Sequence, residues 1–152
     1  MSTHLNVGPR RPMRRNRAED EAGAELRLGE FAGVESLSLS EAREVIDAIR
    51  DLRKQKNQDL NETETLQKMR SYLDVFSRFK DRETTLQVGS LVGAHTELVH
   101  FERSQLATLC CETADEAKTL IPSITDKITD EDLQELLNEI SKLRLVDQLK
   151  AD

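Results

Sequence analysis

Tryptophan is absent from this 152-residue chain, and aromatic side chains make up only 3% of it. The five that exist are Phe31, Tyr72, Phe76, Phe79 and Phe101. Glycine occurs only six times, and few aromatics with much Leu, Glu, Lys, Arg and Gln favour a helical protein with a modest core. No apolar run approaches the roughly 18 residues that a membrane-crossing helix needs. No secretory-signal core follows the basic start. The expectation is a soluble, intracellular chain with no membrane contact. Cysteine is limited to Cys110 and Cys111, which in such a chain are reduced thiols. Also missing are a glycine-rich phosphate loop, an HExxH pair and a nucleophile elbow. An enzyme is not expected, nor a cofactor.

Charge, by contrast, is plentiful at 34% of residues, above the usual quarter. Such a chain is expected to leave apolar surface for a partner to cover. The charge is also unevenly placed. Arg10, Arg11, Arg14, Arg15 and Arg17 give residues 1–17 a charge of +5 with no acid among them. The remaining 17 basic and 29 acidic side chains leave the body at −12. An acidic body repels a phosphate backbone and has no counterions to release from it. The arginine tail is the one candidate for nucleic-acid contact, weighed against a localisation signal or a solvated tail.

Residues 1–24 have no hydrophobic periodicity and read as a disordered tail, basic and then acidic. In LRLGEFAGVESLSLS (26–40), Leu26 and Leu28 alternate across a polar residue, Gly29 permits a turn, and Leu37 and Leu39 alternate again. Short extended pieces of this kind need a sheet edge or a groove, on this chain or on a partner. From residue 38 the period becomes helical. Ser38 and Glu41 have capping-box spacing, with Ala42, Val45, Ile46, Ile49 and Leu52 on one face up to about Lys56. After a polar connection at 57–63, a second helix is predicted over about 64–79. Its stripe of Leu66, Met69, Tyr72, Leu73, Phe76 and Phe79 is expected to be core rather than a stacking platform. Further helices are predicted at about 82–92 behind Asp81 and at about 100–110. A last one follows Thr129, with Leu133, Leu136, Leu137, Ile140 and Leu143 as its apolar face, and residues 144–152 are expected to fray.

Between the last two lies CCETADEAKTLIPS (110–123). Adjacent cysteines do not have the C-x₂₋₄-C spacing of a zinc site, and His95 and His100 complete no recognised ligand pattern with them. Glu112, Asp115 and Glu116 surround the pair and disfavour a thiolate. The capping-box spacing of Thr113 and Glu116, and Pro122 as a stop, make this stretch a joint between helices. DKITDEDLQE (126–135) lacks the glycine and glutamate positions of a calcium loop. It reads as a solvated helix start.

FERSQLATLCCETADEAKTLIPSI (101–124) and DEDLQELLNEISKL (130–143) resemble the C-terminal region of the fourth-subunit family of eukaryotic RNA polymerase II. The matching positions are Phe101, Glu102, Gln105, Leu106 and Leu109, then Cys111, Glu112, Glu116 and Ala117, then Leu120 to Ser123. Upstream, LRLGEF (26–31), SLSEA (38–42) and YLDVFSRFKDRET (72–84) follow in the family's order. The resemblance covers about residues 24–143 and implies a non-catalytic polymerase subunit. It implies pairing with the seventh subunit, an OB-fold protein, in a stalk beside the RNA exit path. That stalk supports initiation and recruits RNA and processing factors, with nascent RNA held mainly by the partner. It further implies a nuclear protein that shuttles to the cytoplasm, and an all-α fold. That fold is a helical bundle like the HRDC (helicase and RNase D C-terminal) domain, with an extended N-terminal segment that docks on the partner.

The domains expected are a tail at 1–24, a docking segment and first helix at 25–62, the helical domain at 63–145 and a flexible tail at 146–152. Leu26, Leu28, Phe31, Leu37, Leu39, Val45, Ile46 and Ile49 are the candidate interface residues, with core packing the competing role for each. A stand-alone HRDC-type nucleic-acid-binding module is the alternative, and it requires a basic face on the folded body. A thiol enzyme is the third reading, opposed by the lack of a general base near the cysteines.

Overall fold

Ser38 and Glu41 trade hydrogen bonds: the Ser38 hydroxyl accepts from the Glu41 N–H at 3.3 Å, and the Glu41 carboxylate accepts from the Ser38 N–H at 2.8 Å. The first helix starts on that box. The computed structural model describes residues 21–56 and 62–151, and most of them are helical. The helices are α1 (Leu39–Gln55), α2 (Glu64–Phe76), α3 (Arg82–Gly93), α4 (His100–Leu109), α5 (Ala114–Leu120) and α6 (Asp130–Ala151). Thr63, Asp81, Thr113 and Thr129 cap α2, α3, α5 and α6 by accepting backbone N–H bonds from Leu66, Thr84, Glu116 and Asp132. Pro122 ends α5 and opens a single 3₁₀ turn, Pro122–Ile124. The all-α class expected from the sequence is the class observed.

The N-terminal segment differs from expectation in one respect. Strand β1 (Glu21–Ala22) pairs antiparallel with β2 (Leu26–Arg27), so the short extended piece at Leu26 finds its sheet edge on its own chain. Glu21 and Ala22 therefore leave the tail in which the sequence reading placed them. A 3₁₀ turn, Gly29–Phe31, follows, and Gly29 sits at φ 55°, a left-handed conformation that costs glycine nothing. The arginines at 10–17 and residues 57–61 of the polar connection lie outside the described residues.

The core belongs to the second half of the chain. One continuous cluster runs from Phe79 through Val88, Leu98, Leu106 and Leu133 to Ile140, and α1 and α2 contribute nothing to it. α3 packs on α4 and α6, and α5 packs on α6. α1 lies against α2, α3 and α4 and is fixed by polar contacts. The Ser40 hydroxyl accepts from the Phe79 N–H at 3.0 Å, and the Thr108 hydroxyl accepts from the Leu39 N–H at 3.3 Å.

Two further expectations are corrected. The α2 stripe is not core. The helix ends at Phe76, Phe79 turns into the body, and of the stripe's helical members only Leu73 is buried. Tyr72 is 52% and Phe76 54% exposed. The reason is that α2 packs chiefly on α1, so one row of its side chains is covered while the rest stays exposed among the described residues. At the other end, α6 continues to Ala151 where fraying was expected. Asp147 is buried, its carboxylate accepting from the Lys80 N–H at 3.0 Å and from the Asp81 N–H at 2.9 Å. Lys150 pairs with Asp81 at 2.8 Å and Glu83 at 3.2 Å. The last turns are tied to the start of α3. The Lys150 hydrogen bond, helped by donors on Thr84, lowers the Asp81 carboxyl to about 2.

Candidate interaction surface

The cysteine joint is built for packing. Cys110 ends α4 in a left-handed conformation, φ 50°, which turns the chain sharply into α5. Both thiols are free and buried, and Cys110 Sγ donates to the Ala107 carbonyl at 3.3 Å. Burial pushes the Cys110 thiol up to about 11. Burial also raises that of Cys111, with the Glu116 carboxylate adding to the effect. Neutral thiols of this kind are small apolar fillers, not nucleophiles. Among the described residues no three His, Cys, Asp or Glu side chains form a metal-holding group.

Apolar surface is the remaining chemistry, and it concentrates before the core begins. Of the candidate residues, Phe31, Leu37, Val45 and Ile49 are exposed, Phe31 at 64%, while Leu26, Leu28, Leu39 and Ile46 are half-buried. Val34 and Leu52 are also exposed and escaped the candidate set. On α1 the exposed residues Val45, Ala48, Ile49 and Leu52 recur at i, i+3, i+4 and i+7, which makes one apolar stripe along the outside of the helix. That spacing was available in the sequence. The face predicted from periodicity mixes this outward stripe with Ala42 and Ile46, which turn partly inward.

Charge rather than hydrocarbon closes the α1–α2 seam. Arg43 pairs with Asp74 at 3.1 Å, Arg50 with Glu62 at 2.8 Å, and Arg70 with Glu62 at 3.4 Å and Asp47 at 3.8 Å. Partly exposed pairs of this kind contribute roughly 0.2–1 kcal/mol each. Because the seam is polar, it leaves a cleft of about 230 Å³ between the helices, with Ile46, Ile49 and Leu66 along its walls. On the outer side of α2, Met69, Tyr72, Val75 and Phe76 are exposed. The Tyr72 and Phe76 rings stack at 4.6 Å with a 33° tilt.

One charged pair went unseen in the sequence. Glu102 is fully buried; one carboxylate oxygen accepts from the Val99 N–H at 2.9 Å to start α4, and the other meets Lys127 Nζ at 2.7 Å. The glutamate of the Phe-Glu block is thus a structural clamp between α4 and the 3₁₀ turn region before α6. Its partner lies 25 residues away, beyond the reach of local pattern.

The model of a family described as RNA polymerase Rpb4 matches residues 36–144. The DNA-directed RNA polymerase II subunit rpb4 of Schizosaccharomyces pombe is 42% identical over 127 residues, covering 82% of this chain and 93% of its own length. Subunit RPB4 of Saccharomyces cerevisiae is 48% identical over 87 residues, 57% of this chain and 36% of its own. Subunit 4 of Arabidopsis thaliana is 30% identical over 132 residues, 83% of this chain and 95% of its own.

Proposed function

The chain belongs to the RNA polymerase Rpb4 family, the fourth subunits of RNA polymerase II, and from that membership we propose that it is a non-catalytic, nuclear subunit that pairs with the polymerase's seventh subunit. In this reading the pair forms a stalk beside the RNA exit path. It supports initiation and presents a landing surface for nascent RNA and processing factors. Residues 63–145, from α2 into α6, form its HRDC-like part, and the polymerase core is its further partner. The protein also shuttles to the cytoplasm.

The observation that supports it most is the exposed apolar set on the N-terminal segment and α1: Phe31, Leu37, Val45 and Ile49. In a chain with this much charge, such a set suits a partner surface. Leu26, Leu28, Leu39 and Ile46 sit at its half-buried edge. The arginines at 10–17 are kept as a proposed, secondary contact to RNA. A −12 body suits RNA held chiefly by the partner. It opposes the stand-alone nucleic-acid module.

Light scattering on a size-exclusion column tests the pairing. Mixing with the seventh subunit is expected to give a monodisperse 1:1 complex and to remove the free peak. A monomer that ignores the seventh subunit overturns the proposal.

A further inference from the structure

We infer that the α1–α2 cleft is the point of that interface which takes in one bulky apolar side chain of the seventh subunit, flanked by carboxylates; this rests on the pairing proposed above. Three observations carry it. The first is size and lining. At about 230 Å³ the cleft falls below the roughly 300–1,000 Å³ of small-molecule sites, so it suits a single side chain better than a cofactor. Its aliphatic walls, Ile46, Ile49 and Leu66, offer no ring on which a base would stack. A protein side chain is the better occupant than RNA.

The second observation is charge. Arg50, Arg53 and Arg70 rim the cleft with a single carboxylate, Glu62, among them. Along the end of α1, residues 50–56 hold Arg50, Arg53, Lys54 and Lys56 against Asp51, which pairs with Lys54 at 3.7 Å, so the helix end keeps a positive balance on an acidic body. Arg50 and Arg70 are engaged with Glu62. Arg53 is exposed and makes no ion pair among the described residues. A guanidinium beside an apolar pocket selects a carboxylate next to the entering side chain. The third is continuity. Ile49 belongs both to the outer stripe of α1 and to the cleft wall, so a partner covering Val45, Ile49 and Leu52 reaches the opening without leaving the surface.

The test uses the full chain and the purified seventh subunit. Arg53→Glu is expected to weaken the complex about tenfold at low salt, the difference shrinking as salt rises. Arg53→Lys keeps the charge but not the planar fork, and is expected to fall between wild type and Arg53→Glu. In a second arm, benzoylphenylalanine replaces Arg53 and the complex is irradiated. The cross-linked tryptic peptide should come from the seventh subunit and carry a bulky apolar residue next to Asp or Glu. Wild-type affinity in Arg53→Glu at low salt, with unchanged circular dichroism, overturns the inference while the pairing stands. A cross-link to a peptide without carboxylates, or none from a formed complex, does the same. If the wild-type chains do not associate at all, the pairing itself fails and the inference goes with it.

Discussion

The α1–α2 hairpin and the α3–α6 body are both made of capped helices, yet they are held by different physics. The body buries a continuous cluster from Phe79 to Ile140, whereas α1 and α2 bury one apolar side chain, Leu73. Charged pairs close the hairpin seam, and exposed hydrocarbon covers its outer faces. Burying a Leu or Ile side chain contributes roughly 1.5–3 kcal/mol, and a surface pair about 0–1. Stability therefore resides in the body. The hairpin is held to it more weakly, with apolar rows left exposed, which is the arrangement the proposed pairing requires.

The sharpest way to break that contrast is truncation. Leu137→Ala, at a fully buried position of α6, is expected to cost about 2–5 kcal/mol in denaturant unfolding. Ile49→Ala on the α1 stripe should change the isolated chain by less than about 0.5 kcal/mol and weaken the complex instead. Equal costs at the two positions would erase the distinction. Next in size is the polar tie at the end of α6. Asp147→Ala strips the acceptor from the Lys80 and Asp81 N–H groups and should cost about 1–3 kcal/mol. Loss of protection in the last turns of α6 would accompany it in amide exchange.

A comparable effect is expected from alkali. The Cys110 thiol ordinarily titrates at 9.0 and is raised by burial to about 11. The unfolded chain therefore ionises first. The contribution is fully present below pH 9 and is lost as pH rises towards 11, on the order of 2–3 kcal/mol. Unfolding curves of wild type and Cys110→Ala at pH 8 and pH 11 check it: any stability advantage of the wild type should shrink at the higher pH. A gap that does not change with pH would mean the thiol is not held neutral in the fold.

How much of this was legible in the sequence follows from range. Ser38 with Glu41, Asp81, Thr113 and Pro122 mark helix ends through chemistry three or four residues wide, and those ends were read correctly. Tyr72 and Phe76 misled, because a periodic stripe reports which residues are apolar and not whether anything covers them. Asp147 and Glu102 act on groups 67 and 25 residues away, where no local pattern reaches. At the candidate surface, apolar alternation points to Leu26 and Leu28 and to Leu37 and Leu39, of which Leu37 is exposed and the others half-buried. The cleft beside Ile49 arises only when α2 folds back and leaves a charged seam.

The most direct measurement is amide hydrogen exchange of the full chain, alone and with the seventh subunit. Alone, α1 and α2 should exchange well before α3, α4 and α6. With the partner, protection should rise across residues 26–56 and stay unchanged at Leu106, Leu133 and Ile140. Uniform protection in the free chain, or protection gained only in the body, would contradict the division of the molecule into a stable body and a docking hairpin.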